Sequence, residues 1–218
     1  MKKWMLFLVA AMVVSGAVSC KKDLKPEGDG KTPVPELVDL GFSVNGKIIK
    51  WASCNLGAST PEEFGDYYAW GELTPKTDYS EETRTYKDDP DRLPLDADVA
   101  HKRLGGKWRM PTSAEFEALL LNCEASEVVL SGHVKGVLFV SKINGNSIFL
   151  PLAGRMSGKE KRSIGELTEY PSSSKRMDLE GRCHALLTYP KSAGFPYVSI
   201  MGTVGRSDGH VIRPVREE

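Results

Sequence analysis

The sequence lacks an excess of charge of either sign, since its 218 residues carry 29 basic and 29 acidic side chains. Proteins that bind nucleic acids usually show a basic surplus or a basic stripe, so we expect no nucleic-acid partner. The sequence also has no GxxxxGK[ST] phosphate-binding loop, no HExxH motif and no CxxC spacing. Its four histidines are scattered along the chain. We therefore expect no enzyme activity, no cofactor and no metal site.

The first twenty residues carry the strongest signal. Two lysines precede an uncharged stretch over residues 4–18, which is shorter than the roughly 20 residues of a membrane-spanning helix but suits a signal peptide. The run Ala-Val-Ser-Cys over residues 17–20 resembles a bacterial lipoprotein box. We expect residues 1–19 to be a signal peptide and Cys20 to carry the lipid, which anchors a protein without a spanning helix. An ordinary secretory signal with an incidental cysteine is the alternative.

Composition divides the mature chain into two parts. Residues 20–36 are polar and rich in proline and glycine, which is typical of a flexible tether. Residues 37–218 have the composition of one globular domain. We expect a protein of the cell envelope, held at the outer membrane by its lipid. The single acidic residue in the Lys22-Asp23 pair is too weak a sorting signal to choose between the periplasmic and the surface leaflet.

The cysteine count follows from this location. With Cys20 lipidated, Cys54, Cys123 and Cys183 remain, an odd number in an oxidising compartment. One disulfide and one thiol is the simplest outcome. Cys54 and Cys123 each lie in an apolar segment, whereas Cys183 lies in a more polar one, so we expect a Cys54–Cys123 disulfide.

Local patterns predict hairpins and short helices. Asn45-Gly46 and Asn144-Gly145 each separate two strand-like runs, the strongest short-range signal for a two-residue hairpin turn. Capping signals predict a short helix that begins at Thr60, a second over residues 96–104 and a third over residues 112–123.

The remaining segments predict exposed connections and further strands. Residues 79–94 and 155–182 are polar and irregular, whereas strand-like pieces return near the C-terminus. These pieces are residues 185–189, 197–201 and 209–215. The pattern favours an α+β fold with a mainly antiparallel sheet, two or three short helices and long irregular loops.

Several segments together resemble one family. They are VDLGFSV, KWASCNLGASTPEEFGDYYAWGE, LGGKWRMPTSAEFEALLLNC, SKINGNSIFLPLAG and the closing HVIRPV. They are similar to the Fibrobacter succinogenes major paralogous domain, which is common in Bacteroidetes lipoproteins and related to the C-type-lectin-like fold. The resemblance covers about residues 38–215. It implies an α+β domain whose termini lie in one sheet, on surface or secreted proteins with suggested roles in adhesion or glycan capture.

Calcium-dependent sugar binding is not expected. C-type lectins hold calcium through Glu-Pro-Asn or Gln-Pro-Asp loops and a Trp-Asn-Asp strand, and none of these motifs occurs in the chain. Calcium needs six to eight oxygen ligands at close range. Without those loops, the lectin-type calcium site is lost.

Candidate binding residues come from loops, because loops carry most binding functions. Tyr189, Phe195, Tyr197 and Arg206 lie near one another in sequence and are the candidate ligand residues. By contrast, we expect Arg109 and Arg213 to bond to backbone carbonyls or carboxylates. The aromatic residues of the family-like segments are expected in the core, namely Trp51, Tyr67, Tyr68, Trp70 and Trp108.

We expect a non-enzymatic, lipid-anchored module that binds a glycan or a surface protein. Two alternatives come from other classes. A glycan-processing enzyme would use an acidic pair such as Asp178 and Asp208, and a structural subunit of a surface assembly would show an exposed strand edge or an apolar patch.

Overall fold

The computed structural model describes residues 32–189 and 198–218, which form an α+β arrangement. The two helices are α1 (Val99–Leu104) and α2 (Ser113–Asn122). The strands are β1 (Leu37–Val44), β2 (Lys47–Ala52), β3 (Tyr67–Tyr68), β4 (Trp108–Arg109), β5 (Cys123–Leu130), β6 (Val134–Ser141), β7 (Ser147–Pro151), β8 (Arg155–Ser157), β9 (Glu160–Arg162), β10 (Thr168–Lys175), β11 (Arg182–Tyr189), β12 (Val198–Gly205), β13 (His210–Val211) and β14 (Val215–Glu217). All pairings between these strands are antiparallel, which confirms the predicted class.

The strands form several small sheets. The largest has the order β1-β2-β14-β4, so the first and last strands lie in one sheet, as the family resemblance implies. Two three-stranded sheets have the orders β10-β11-β12 and β5-β6-β7. The pairs β13-β3 and β8-β9 complete the set. Val34, which precedes β1, packs against the buried cluster around Trp70, so the described chain contacts the domain before residue 37.

The first predicted hairpin is confirmed. Asn45 and Gly46 both have positive φ angles, 52° and 77°, as a two-residue turn of this type requires. In the second hairpin the strands are right, but the predicted two-residue turn is wrong, because residues 142–146 form a five-residue loop. There the side-chain amides of Asn144 and Asn146 donate to the Asp39 carbonyl at 3.0 and 2.8 Å, which fixes the loop on β1.

Two of the three predicted helices form. Asp98 caps α1, and Thr112 with Glu115 forms the predicted capping box of α2. The helix predicted at Thr60 is wrong. The Ser59 amide does bond to the Glu63 carboxylate at 2.6 Å, but Gly65 then takes a φ of 74° and ends the turn before a helix can propagate. Neither helix of the described residues is long and apolar enough to cross a membrane.

The polar region 155–182 is more ordered than its composition predicts. It contains β8, β9 and β10, and β10 lies at the edge of its sheet. Ser173 is buried, and its amide and hydroxyl both donate to the Pro111 carbonyl, at 2.7 and 3.2 Å. The predicted exposed connection over residues 79–94 likewise buries Tyr79 and Leu93. Hydrogen bonds pair the buried backbone amides and carbonyls of these segments. A pattern of hydrophobic residues does not predict such hydrogen bonds.

The interior consists of two clusters of buried side chains. One surrounds Trp51 and Phe116, whose rings lie 5.6 Å apart, and joins α2 to β1, β6 and β7. The other surrounds Trp70 and Trp108 and joins α1 to β11. The five aromatic residues expected in the core are all buried.

The predicted Cys54–Cys123 disulfide is wrong, since the structure contains no bond between these residues. The Cys54 thiol donates to the Ala58 carbonyl at 3.3 Å. Cys123 ends α2 and packs in the Trp51 cluster, whereas Cys183 packs in the Trp70 cluster. Burial raises the pKa of Cys123 to about 11 and that of Cys183 to about 12. Such thiols are protonated and poorly reactive at neutral pH.

Candidate functional site

The structure does not bring the predicted ligand residues together. Tyr189 ends β11 and pairs with Val198 near one end of the β11-β12 hairpin, whereas Arg206 follows the opposite end, where Arg182 pairs with Gly205. Seven residues of extended strand separate the two ends, about 23 Å at the usual rise. Phe195 and Tyr197 lie outside the described residues. The predicted four-residue ligand surface is therefore wrong for its two described members.

The Arg206 side chain is buried and packs against Trp70, so it is not exposed for ligand binding. Its side chain is 4% exposed, and its guanidinium lies 5.0 Å from the centre of the Trp70 ring. Nη1 donates to Asp89 at 2.7 Å. Tyr189 is 43% exposed and remains available at the surface.

Arg109 and Arg213 bond as expected from the sequence. Arg109 forms a two-pronged ion pair with Glu115, at 2.5 and 2.8 Å. Arg213 donates to the carbonyl oxygens of Ala52 and Phe149 at 2.9 and 2.8 Å. Both guanidinium groups are buried, so their contacts hold the fold together.

The acidic pair of the enzyme alternative is not formed as proposed. Asp178 is exposed and bonds to Arg176, two residues away. Asp208 instead lies beside Arg155, whose Nε is 3.7 Å from its Oδ2. Arg155 also donates from Nη1 to both oxygens of Glu169, at 3.0 and 3.2 Å. Arg155 therefore links Asp208 to Glu169, whereas Asp178 pairs with Arg176.

These residues form what we call the Arg155 cluster: Arg155, Glu169, Asp208 and His210. Burial raises the pKa of both carboxyl groups, and Arg155 opposes that shift in each case. Raised carboxyl pKa values are common at catalytic sites. In this cluster, however, the guanidinium of Arg155 forms ion pairs with both carboxylates, whereas the two carboxyl groups of a glycosidase flank the substrate bond. The geometry favours a structural ion-pair network over a catalytic pair.

His210 is the buried member of the cluster. Its side chain is 2% exposed, and neither ring nitrogen makes a hydrogen bond of ordinary geometry. Nδ1 lies 3.7 Å from Glu169 Oε2. Burial, together with the nearby positive charge of Arg155, lowers the pKa of His210 to about 3. The imidazole is therefore neutral at physiological pH.

One signal for this region was visible in the sequence and was missed. Residues 205–209, Gly-Arg-Ser-Asp-Gly, match the GxSxG spacing of a nucleophile elbow, and His210 follows directly. An elbow requires a strand, a tight turn and a helix, with the serine exposed at the turn. Here Ser207 lies in a bend between β12 and β13, both of them strands. No hydrogen bond joins Ser207 to either nitrogen of His210, so no nucleophile is activated.

A second candidate region is an open hollow on the surface. A hollow of about 380 Å³, which we call the α1 hollow, opens beside the N-terminus of α1. It is lined by Arg92, Leu93, Pro94, Leu95, Asp98, Arg109 and Glu217. Its volume falls within the roughly 300–1000 Å³ of small-molecule sites. Leu95 is 51% exposed and contributes an apolar side chain to this surface.

Charged groups of both signs line the α1 hollow. The carboxylate of Asp98 is buried and accepts from the amides of Met110 and His101, at 2.8 and 3.1 Å. Burial raises the pKa of Asp98, although the two hydrogen bonds favour its charged form and oppose that shift. Glu217 keeps a low pKa because Lys47 bonds to it at 2.6 Å. Among the described residues, the exposed Arg92 side chain makes no hydrogen bond or ion pair.

No group of three or more metal-ligating side chains is arranged to hold a metal within residues 32–189 and 198–218. Comparison of the chain with family models, with curated proteins and with solved structures finds no match. The α1 hollow and the Arg155 cluster are therefore judged on their geometry alone.

Proposed function

We propose that this chain is a lipid-anchored protein of the cell envelope whose lectin-like domain binds a saccharide or the surface of a partner protein, without catalysis. The lipoprotein box ending at Cys20 and the polar, proline- and glycine-rich sequence between Cys20 and Val34 support the anchor and the tether. The antiparallel sheets, the two short helices and the shared sheet of the first and last strands support the C-type-lectin-like assignment.

The α1 hollow is the observation that carries the binding function. Leu93, Pro94 and Leu95 supply an apolar wall, and Arg92 and Glu217 supply a donor and an acceptor at the rim. A sugar ring has apolar C–H faces and hydroxyl groups around its edge, so it matches a wall of this kind with polar groups beside it. Arg92 has hydrogen-bonding capacity to spare, because no described residue uses its side chain.

The contacts of the reactive side chains support a function without catalysis. The Arg155 guanidinium is paired with both Glu169 and Asp208, and Ser207 has no hydrogen bond to His210. The thiols of Cys123 and Cys183 are buried with raised pKa values. A binding protein needs none of these groups in a reactive state.

The anchor is tested by expressing the full chain in a bacterium and determining the mass of its N-terminal peptide. The expected product begins at Cys20 and carries acyl chains. The Cys20→Ser variant should lose the acyl chains and leave the membrane fraction. A wild-type protein that begins elsewhere, or that carries no lipid, would refute the anchor and leave the hollow to be tested separately.

The hollow is tested by screening the mature protein in detergent on a glycan array, and by measuring the affinity for the best glycan. Arg92→Ala and Leu95→Ala should each weaken binding by about tenfold, the loss of roughly one good contact. Matched controls are Arg162→Ala and Leu179→Ala, which remove exposed side chains away from the hollow. Equal losses in the controls, or binding unaffected by the hollow variants, would exclude this site.

A further inference from the structure

β12 lies at the edge of the β10-β11-β12 sheet and carries no charged residue. Its eight residues, Val-Ser-Ile-Met-Gly-Thr-Val-Gly, contain no proline, and all eight pair with β11 without a bulge. A long, regular and uncharged edge is a template for pairing with another strand, and proteins usually protect such edges with charges, prolines, bulges or covering loops. The sequence of β12 supplies none of the first three.

The other long edge strands of the described residues do carry such protection. β5 contains Glu124 and Glu127. β10 contains Pro171, and its ladder with β11 shifts register after that residue. β1 shifts register after Asp39, whose carbonyl accepts hydrogen bonds from the asparagine side chains of the loop after β6. Within residues 32–189 and 198–218, β12 is therefore the long edge without a protecting device of its own.

The ladder with β11 determines which backbone groups of β12 point outward. The Arg206 amide donates to the Gly181 carbonyl at 2.9 Å, in continuation of the β11-β12 register. Hydrogen-bonded and non-bonded pairs alternate along an antiparallel ladder. The amides and carbonyls of Ser199, Met201 and Thr203 therefore point away from β11.

The pairing of β10 with β11 supports the same assignment. Pro171, which has no N–H, pairs with Ala185. A proline is accommodated where the ladder needs no N–H, so Ala185 directs its backbone groups to the other side, toward its β12 partner Gly202. Because Gly202 faces β11, its neighbours Met201 and Thr203 face outward.

These outward groups have little to bond to in the described part of the chain. The amides of Ser199, Met201 and Thr203 donate to no described residue, and the carbonyls of Ser199 and Met201 accept from none. The Thr203 carbonyl accepts from Arg182 at 2.6 Å and keeps a second lone pair. All three β12 residues are half-buried, so another strand can reach their backbone.

We propose that β12 pairs antiparallel with β12 of a second copy of this chain, about a two-fold axis at Met201. Met201 then pairs with Met201 of the second copy, and Ser199 pairs with Thr203 of the second copy. Each of these pairs exchanges two backbone hydrogen bonds, so every outward residue of both strands is used. The contact is closed and symmetric, and it joins two three-stranded sheets into one.

The side chains of β12 match a second copy in shape and charge. In this register Ile200, which is 41% exposed, lies opposite Gly202 of the second copy. The Leu187 side chain lies over Gly202, where an added Cβ would be 2.3 Å from Leu187 Cδ1. Ile200 of each copy can therefore contact Leu187 of the other. No like charges meet, whereas two copies of β5 would bring Glu124 and Glu127 together with their symmetry copies.

The segment that precedes the described residues is a poor alternative occupant. Seven of the eleven residues over 21–31 are charged, and the segment contains Pro26. Charged residues and proline are depleted in strands. A second copy of β12 suits this edge better, because it is uncharged and free of proline.

This contact goes beyond the proposed saccharide or protein binding. No residue that lines the α1 hollow belongs to β12. The pairing also requires no lipid, so the anchor, the hollow and the edge can each fail independently.

Cysteine cross-linking in intact cells tests the contact and its register. The full chain with Met201→Cys is expressed in a bacterium, oxidised briefly and analysed on a non-reducing gel. A residue on the two-fold axis has its Cα about 5.5 Å from that of its copy, within the reach of a disulfide. We expect a covalent dimer. The matched control Ser199→Cys lies at least about 13 Å from its own copy and should form no more dimer than the wild type.

A second measurement does not depend on introduced cysteines. Energy transfer between differently labelled copies of the mature protein measures association, in a large excess of detergent micelles so that chance sharing of a micelle is rare. Ile200→Lys places a charge on the edge and should weaken association at least about tenfold. Val129→Lys places the same charge on β5, where Val129 is 51% exposed, and should leave association unchanged.

Four results would overturn the pairing. They are energy transfer that is absent from the wild type, equal losses in Ile200→Lys and Val129→Lys, equal cross-linking of Ser199→Cys and Met201→Cys, and a Met201→Cys cross-link to a different protein. The last result would show that a strand of another partner occupies the edge. The energy-transfer measurements stand even if Met201→Cys does not fold.

Discussion

Arg213 donates from Nε to the side-chain oxygen of Asn55 at 3.0 Å, which joins the last turn of the chain to the segment after β2. The same guanidinium bonds to the carbonyl oxygens of Ala52 and Phe149. Asn55 in turn donates to the Tyr170 hydroxyl at 3.1 Å. No carboxylate within the described residues pairs with Arg213. Burial therefore lowers its pKa, and its bonds to neutral oxygens compensate for lost hydration.

Replacing Arg213 by methionine should be strongly destabilising. The variant leaves three buried oxygen atoms without their donors, and each such loss costs about 1–3 kcal/mol. We expect the free energy of unfolding, measured by urea denaturation, to fall by at least about 3 kcal/mol. The matched control Arg162→Met removes an exposed guanidinium and should cost less than about 0.5 kcal/mol. Similar losses in the two variants would contradict this role.

The sequence pattern predicts local elements of this fold better than distant contacts. The Asn45-Gly46 turn and the capping box of α2 depend on residues two to four positions apart, so the sequence contains all the information they need. The helix expected at Thr60 fails although the Ser59 amide bonds to the Glu63 carboxylate, because Gly65 turns the chain toward β3. That turn is stabilised by the Asn55 contact with the Phe64 carbonyl, which no local pattern contains.

Glu115 has two structural roles that a pair of variants can separate. It closes the capping box by accepting from the Thr112 amide at 2.8 Å, and it pairs with the buried Arg109. Glu115→Gln keeps an oxygen for the amide but leaves the guanidinium without its carboxylate, so we expect a loss of about 3 kcal/mol. Thr112→Ala removes only the cap and should cost about 1 kcal/mol.

Thermal or urea unfolding measures both losses. Glu117→Gln provides the control, because this glutamate is exposed on the same helix and should change stability by less than about 0.5 kcal/mol. If Glu115→Gln were as mild as this control, the buried ion pair would contribute nothing to the fold.

The three cysteines of the domain should titrate as thiols. In the folded protein their burial should make reaction with a thiol reagent at pH 8 very slow, since Cys123 and Cys183 have raised pKa values. In denaturant three thiols per chain should react when Cys20 is acylated. A count of one would restore the disulfide expected from the sequence.

The candidate sites were harder to predict than the fold, for a physical reason. The Arg155 cluster draws its members from β8, β10, the turn after β12 and β13, and the α1 hollow joins residues 92–98 to Arg109 and Glu217. Proximity of Tyr189 and Arg206 in sequence predicted a common surface, but an antiparallel hairpin places its ends far apart. The Gly205–Gly209 spacing marked the segment beside the Arg155 cluster, but no pattern marked the α1 hollow.

Gly65 should be far less tolerant of substitution than Gly46, although their φ angles, 74° and 77°, are nearly equal. An added Cβ at Gly46 meets nothing within 4 Å, so Gly46→Ala should cost only the strain of the left-handed backbone, about 1 kcal/mol. At Gly65 the Cβ would lie 2.3 Å from the Leu56 carbonyl oxygen. Strain and overlap together should cost about 3 kcal/mol in urea unfolding.

The overlap also has a specific consequence, because the Leu56 carbonyl accepts from the Asp66 amide at 3.1 Å. Relief of the clash must move that hydrogen bond and the neighbouring Phe64 carbonyl, to which Asn55 donates. Gly65→Ala should therefore weaken the Asn55 contact with Arg213, and its cost should be less than additive with that of Arg213→Met. Full additivity in the double variant would show that the turn and the buried guanidinium are independent.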